Sequence, residues 1–329
     1  MSKEMDEIKK VAPDPYKRWA LEARKQYLDL RLRQDPDIRL LYIRATKRVA
    51  AKLKEVGSSR YLEQVYMTLR MEADRLRGDY TQSLESYIMK AAACGSDFSR
   101  LVTMDLFEKA GIDLDIRNLY YAVNRQAVEV CWARTTKGLR LSDRIWKQGE
   151  KYHTTVRNII QESIALGQDV VTTARMLEKY VQNDKRTFVR DYPAITNRMG
   201  SRIPNDICYE ALRLARTEMS AAFGEASLAA GRVSPSAIGT KWVLSPSHPF
   251  ADICDAHAAH DEGMGRGVYS FGSFPVFPAH PNCICYTINV HADPDEFVQR
   301  LKRWTKQPGS DEELETWYQK TYKPMTGAA

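Results

Sequence analysis

What this 329-residue chain has little of already narrows its class. Six cysteines are too few to staple a protein of this length with disulfides, so they read as reduced thiols or metal ligands. No run approaches the roughly 18 to 20 consecutive apolar residues that a bilayer span requires, so no membrane partner is expected. The opening MSKEMDEIKK mixes acidic residues with lysines and leads into no apolar core, a pattern that fits neither a secretory signal nor an Arg-rich transit peptide, so a reducing cytoplasm is the expected compartment. The signatures of phosphate loops (GxxxxGKS/T), zinc proteases (HExxH), hydrolase elbows (GxSxG) and thioredoxin-like CxxC pairs are all missing. Gly263-Met-Gly-Arg-Gly267 has the wrong spacing for a phosphate cradle and no helix behind it, and reads as a mobile loop.

What is present is an ordinary globular composition, 43% hydrophobic and 28% charged, with a modest basic excess of net +7. The excess is uneven: residues 1–150 carry a net +7, whereas 241–293 carry −3. The densest basic stretch includes Lys17, Arg18, Arg24, Lys25, Arg31, Arg33, Arg39, Arg44, Lys47 and Arg48, interrupted by Asp29, Asp35 and Asp37. Such a run is either a solvated helix face or a surface for nucleic acid or an acidic partner, and charge alone leaves both open.

Periodicity predicts an α+β protein: a predominantly helical N-terminal region, then a small β-rich module, then two short helices. Asp35-Pro36 reads as an N-cap with proline at the first helical position, opening a helix that Gly57 ends; a second helix stops at Gly78. Others follow at about 81–93, 97–110 and 116–135. Ser142 and Asp169 read as caps of a helical hairpin linked through Gly167, 182–203 as a connecting loop, and 204–231 as a long helix. Short β-prone runs at 241–244, 268–277 and 284–290 suggest a small sheet, and helices are expected at 294–306 and 311–322. The order of local character divides the chain at 1–140, 141–231, 232–293 and 294–329.

Five of six histidines and three of six cysteines fall between 248 and 291. These residue types chelate borderline-soft metals, so the chemistry is expected there. Cys254 and His257 form one short-spaced pair; His280, Cys283 and Cys285 form a second limb some twenty residues on, the arrangement by which a chain wraps a tetrahedral Zn²⁺. Five candidates stand for four positions, and a closed structural site is the better fit. The alternative is that the thiols pack beneath the sheet while the histidines hydrogen-bond locally. Asp252, Asp255, His260, Asp261 and Glu262 lie near enough in sequence to serve as a general base if a coordination position were open.

These residues carry a family likeness. Ala215-Arg-Thr-Glu218, Trp242-Val-Leu-Ser245, Asp252-Ile-Cys254 and Phe277-Pro-Ala-His-Pro-Asn-Cys-Ile-Cys285 resemble the C-terminal module of the phage Mu F-like head morphogenesis, or minor head, proteins. Leu141-Ser-Asp-Arg-Ile-Trp146 and Ala165-Leu-Gly-Gln-Asp169 resemble the same family's helical region, so the likeness spans about 140–291. Two departures stand out: His257 where the family often has cysteine, and Ile284 where it has arginine between the last two cysteines. The resemblance implies a non-enzymatic structural and assembly protein of the phage head. It would be associated with the portal, with capsid or scaffold components as further partners and oligomerisation around the portal. Its place would be the virion, after assembly in the host cytoplasm. Residues 1–140 and the C-terminal helices lie outside the resemblance; the former read as a helical docking region whose basic excess would give at most weak, non-specific contact with packaged DNA. Two competing readings are a metal-dependent hydrolase or nuclease built on the Cys/His cluster, and a DNA-binding accessory head protein.

Overall fold

The structure is a computed structural model that describes residues 2–57, 62–183, 185–245, 247–248 and 250–327. It is 74% helical with one small antiparallel sheet, the α+β class expected. The helices are α1 (Ser2–Val11), α2 (Lys17–Val56), α3 (Leu62–Ala110), α4 (Ile116–Ala133), α5 (Leu141–Ala165), α6 (Val170–Gln182), α7 (Lys185–Asp191), α8 (Pro193–Met199) and α9 (Tyr209–Val233). Strand β1 (Ala237–Val243), helix α10 (Ile253–Ala259), and strands β2 (Val268–Tyr269) and β3 (Tyr286–His291) follow. The last elements are α11 (Pro294–Lys306), α12 (Glu312–Trp317), a π-turn at Tyr318–Tyr322 and α13 (Lys323–Thr326).

Two sequence expectations about breaks fail, for reasons visible in the packing. Pro36 lies inside α2 instead of opening a helix. Both Pro36 and Leu32, whose carbonyl loses its hydrogen bond to the proline, are exposed, so the missing bond falls on the outer face where a long helix tolerates it. Helix α3 runs unbroken through Gly78 and Gly95. Gly78 faces open space, whereas a Cβ at Gly95 would stand 2.2 Å from the Phe223 carbonyl oxygen, so this glycine is a close-approach point for α9 and no helix end. The segment 182–203, expected to be a loop, contains α7 and α8, whose short amphipathic turns bury Phe188, Ile195 and Met199. Helix α5 begins at Leu141, with Asp143 accepting from the Arg140 amide, while Asp169 caps α6 as expected by accepting from the amides of Val171 and Thr172.

Contacts gather the chain into two compact units that are discontinuous in sequence. One comprises 32–86 and 134–215, the other 1–31, 87–133 and 216–329. In the first, the Tyr42 and Tyr152 rings meet edge to face at 5.8 Å, Thr46 sits within hydrogen-bond distance of the Tyr152 hydroxyl, and Arg48 binds Glu72 at 2.6 Å. The second unit holds the sheet, in the order β2-β1-β3, with Thr240 opposite Asn289 and Trp242 opposite Thr287.

A buried polar network fastens β3 to the helices of that second unit. Asn289 donates to Ser99 Oγ and to the Ser227 carbonyl and accepts from Thr240, each bond at 2.7–2.8 Å. His291 lies between the hydroxyls of Ser99 and Ser236 at 3.2 and 2.9 Å. Burial alone pushes the His291 imidazole down to about 3, so it is neutral at ordinary pH. Trp317 closes the unit by donating from Nε1 to the Val233 carbonyl, and Arg300 grips Asp311 through two nitrogens.

Candidate metal centre

Each limb of the Cys/His cluster is placed by a short, well-specified piece of backbone. On the first, Asp252 caps α10 by accepting from the Cys254 amide at 2.7 Å, while Asp255 returns to the Asp252 amide at 2.8 Å, a reciprocal capping box. The cap fixes Cys254 in the first turn, where it is fully buried. The second limb is a β-turn over His280-Pro281-Asn282-Cys283, closed by the Cys283 amide donating to the His280 carbonyl at 3.2 Å. Proline at the second position and Asn282 at φ +62° in the third are what a type II turn demands. Cys285 follows in the extended lead into β3, buried like Cys283, with Ile284 turned the other way.

Folding brings Cys254, His280 and Cys283 together, one ligand atom from each within 4.8 Å of the others. The two sulfurs are 3.7 Å apart. A disulfide needs about 2.05 Å, whereas the edge of a tetrahedron with 2.3 Å Zn–S bonds is about 3.8 Å. His280 is oriented to match: Nδ1 lies 3.0 Å from the Pro281 carbonyl, the bond that holds the proton on Nδ1 and leaves a lone pair on Nε2. That Nε2 is buried and makes no hydrogen bond, although Asp252 Oδ2 stands 3.1 Å away.

Cys285, a predicted ligand like His257, lies outside this 4.8 Å group, although its thiol contacts those of Cys254 and Cys283. Among three crowded thiols the first proton leaves readily and the last resists: hydrogen bonds from its two neighbours hold Cys283 low, and the same contacts hold Cys254 high. The three cysteines share one buried apolar cluster with Trp242, Tyr269 and Phe277, and Phe274 packs against it.

The remaining sequence candidates are used otherwise. His257 is outside the 4.8 Å group; its ring packs on Trp242 at 4.7 Å, and burial, with His260 close by, pushes its imidazole below the ordinary value. His260 stacks on Tyr269, also at 4.7 Å. Asp261 accepts from the amides of Gly263 and Gly265, and Glu262 accepts from Ser270 and Ser273, so both carboxylates pin the glycine loop that composition alone suggested was mobile. Burial pushes the Asp252 carboxyl up, but the Cys254 amide and the imidazoles of His248 and His280 outweigh it and leave the group below the usual range. His248 Nε2 lies 3.3 Å from Asp252 and 3.1 Å from Asp255, a second His/Asp group beside the first.

Four residues that sequence reading did not single out for the site hold its backbone. Thr217 Oγ1 accepts from the Asn282 amide at 3.2 Å, and Ser220 Oγ donates to the Cys283 carbonyl at 3.3 Å. With its one proton so used, Ser220 receives from Tyr27 at 2.9 Å and from Arg31 at 3.1 Å. The only hint in the sequence is Thr217, which belongs to the Ala215–Glu218 string; the others are remote along the chain.

Compared with protein-family models, curated proteins and solved structures, the chain finds no significant match. What the geometry itself defines is a Cys/His group able to hold a metal ion. No helix among the described residues is long and apolar enough to cross a membrane.

Proposed function

We propose that the chain is a head-assembly protein of the phage Mu F-like minor head type, with its β-rich module held together by a structural Zn²⁺. The observation that carries the metal is that Cys254, His280 and Cys283 each bring a ligand atom within 4.8 Å of the others, the two sulfurs lying 3.7 Å apart. Cys254, Cys283, Cys285 and His280 supply three sulfurs and one nitrogen, a donor set that suits tetrahedral zinc. His257 is left out, seated on Trp242. All three cysteines are buried and the neighbouring carboxylates are engaged in capping or in pinning a loop, which supports a closed site over one that activates water.

The head-assembly part of this reading rests on the resemblance in residues 140–291, now joined by a physical role for its most specific string: His-Pro-Asn-Cys builds the turn that presents two ligands. Portal protein is the proposed partner, with capsid or scaffold components and an oligomer around the portal, in the virion. The basic residues of the first 150 positions add weak, salt-sensitive contact with packaged DNA.

The test is twofold. Metal analysis of purified protein is expected to give about one zinc per chain, the content of a single four-ligand site, with Cys285→Ser losing it and His257→Ala retaining it. Isolation of assembling particles is expected to recover the chain with the portal protein. A chain absent from particles refutes the assembly role, and one free of metal refutes the zinc.

A further inference from the structure

The bonds that hold the ligand turn come from two helices, and one of them is α2. Tyr27 and Arg31 meet at Ser220 Oγ, which donates to the carbonyl of Cys283. Arg31 also donates to the Arg216 carbonyl at 3.1 Å. One turn earlier, the buried Arg24 guanidinium stacks 4.3 Å over the Tyr286 ring, next to Cys285, and reaches the Ile284 carbonyl at 3.4 Å. Residues on three successive turns of α2 therefore converge on the segment leading into β3, Arg24 touching Ile284 and Tyr286 directly and Tyr27 and Arg31 reaching the Cys283 carbonyl through Ser220. All of these residues belong to one compact unit, which also contains α1.

From this convergence we infer that metal binding and the seating of the N-terminal helices form one coupled device: the metal-ordered turn at 280–285 is the surface on which residues 17–31 dock, and releasing the metal releases that segment. The inference rests on the metal reading above. The polar groups of Ser220, Tyr27 and Arg31 are complementary to one arrangement of the Cys283 carbonyl. When the ion leaves, the turn keeps its Cys283-to-His280 backbone bond but loses the ligand bonds that tie it to Cys254, so the Cys283 carbonyl is held less firmly and the relay weakens. Linkage makes the effect reciprocal, so weakening the relay weakens metal binding by the same factor by which metal strengthens docking. Ser220 is thus a positioning residue that touches no metal.

Hydrogen exchange on the full chain, with zinc bound and after chelation, tests this. Chelation is expected to raise exchange in 17–31 together with 280–286, while α5 and α6, which belong to the other unit, stay unchanged. Ser220→Ala is expected to weaken zinc binding about tenfold, the low end for outer-shell partners, and to speed exchange in 17–31 even with zinc present. Tyr27→Phe is expected to act in the same direction more weakly and keeps the ring in place.

Chelation that loosens 280–286 yet leaves 17–31 protected overturns the coupling while leaving the zinc site standing. Unchanged zinc affinity in Ser220→Ala overturns it as well. A chain that takes up no metal overturns the zinc reading and this inference together.

Discussion

His280 and Cys283 are the first and last residues of one β-turn, so the hydrogen bond that closes the turn also sets the spacing of two prospective ligands. This explains why proline and asparagine stand between them. Pro281 presets the second position of the turn, and Asn282 accepts a positive φ at lower cost than most residues.

The turn can be tested apart from the ligands. Asn282→Gly is expected to preserve stability and metal content, because glycine adopts φ +62° freely. Asn282→Val should cost about 1–3 kcal/mol, since a β-branched residue is strained there, and should weaken zinc binding. Denaturant melts of both variants with metal analysis check the contrast; equal behaviour would show that the turn geometry is not required.

Cys283→Ser is expected to lose the bound metal and lower the melting temperature. Exchange should rise over 240–291, whereas α5 and α6, which belong to the other unit, should keep their protection. Metal-free protein with the thermal stability of the native chain would show instead that the thiols merely pack.

The two helical glycines of α3 should respond with opposite signs. Gly78→Ala meets open space and is expected to stabilise by about 0.5–1 kcal/mol through helix propensity. Gly95→Ala drives a methyl into the Phe223 carbonyl and should destabilise by about 1–3 kcal/mol, as overpacking does. Equilibrium unfolding of both variants measures the difference.

Acid should reveal His291. Its folded pKa of about 3 lies below the ordinary value of 6.5, so between those values the unfolded chain binds a proton that the folded chain refuses. The stability of the neutral, buried form is complete above pH 6.5 and is lost as pH falls toward 3, by up to about 1.4 kcal/mol per unit. His291→Gln should therefore lose less stability than the native protein on going from pH 7 to 4. Parallel slopes for the two would refute the assignment.

Much of this was legible in the sequence, and what was not has physical causes. Local chemistry read correctly: the Asp169 cap, the bounds of α11, the position of β3, and the gathering of Cys254, His280 and Cys283 all follow from short-range rules. Local rules misread Pro36 and Gly78 as a helix start and stop and left a gap around Gly95, because a break is decided by what packs beside it. Proline on an exposed face costs one outward hydrogen bond, and glycine against a neighbouring helix removes a side chain the contact has no room for. His257 illustrates a further limit. Its i, i+3 spacing from Cys254 suits chelation, yet the nearby Trp242 ring offers the imidazole another partner. Ser220 and Arg31 were invisible because their role exists only once α2 and α9 lie against the turn.

The discontinuous make-up of the two units sets an order for their completion as the chain is synthesised. All residues of the unit made of 32–86 and 134–215 have been made before β1, α10 and β3 exist, so that unit can close early. The unit containing the Cys/His group cannot: its α2 and α3 portions must wait, with their buried positions uncovered, until the final strand and the turn before it emerge. On the proposed zinc reading, metal capture would fall near the end of folding, when the turn that holds His280 and Cys283 meets a Cys254 already in place.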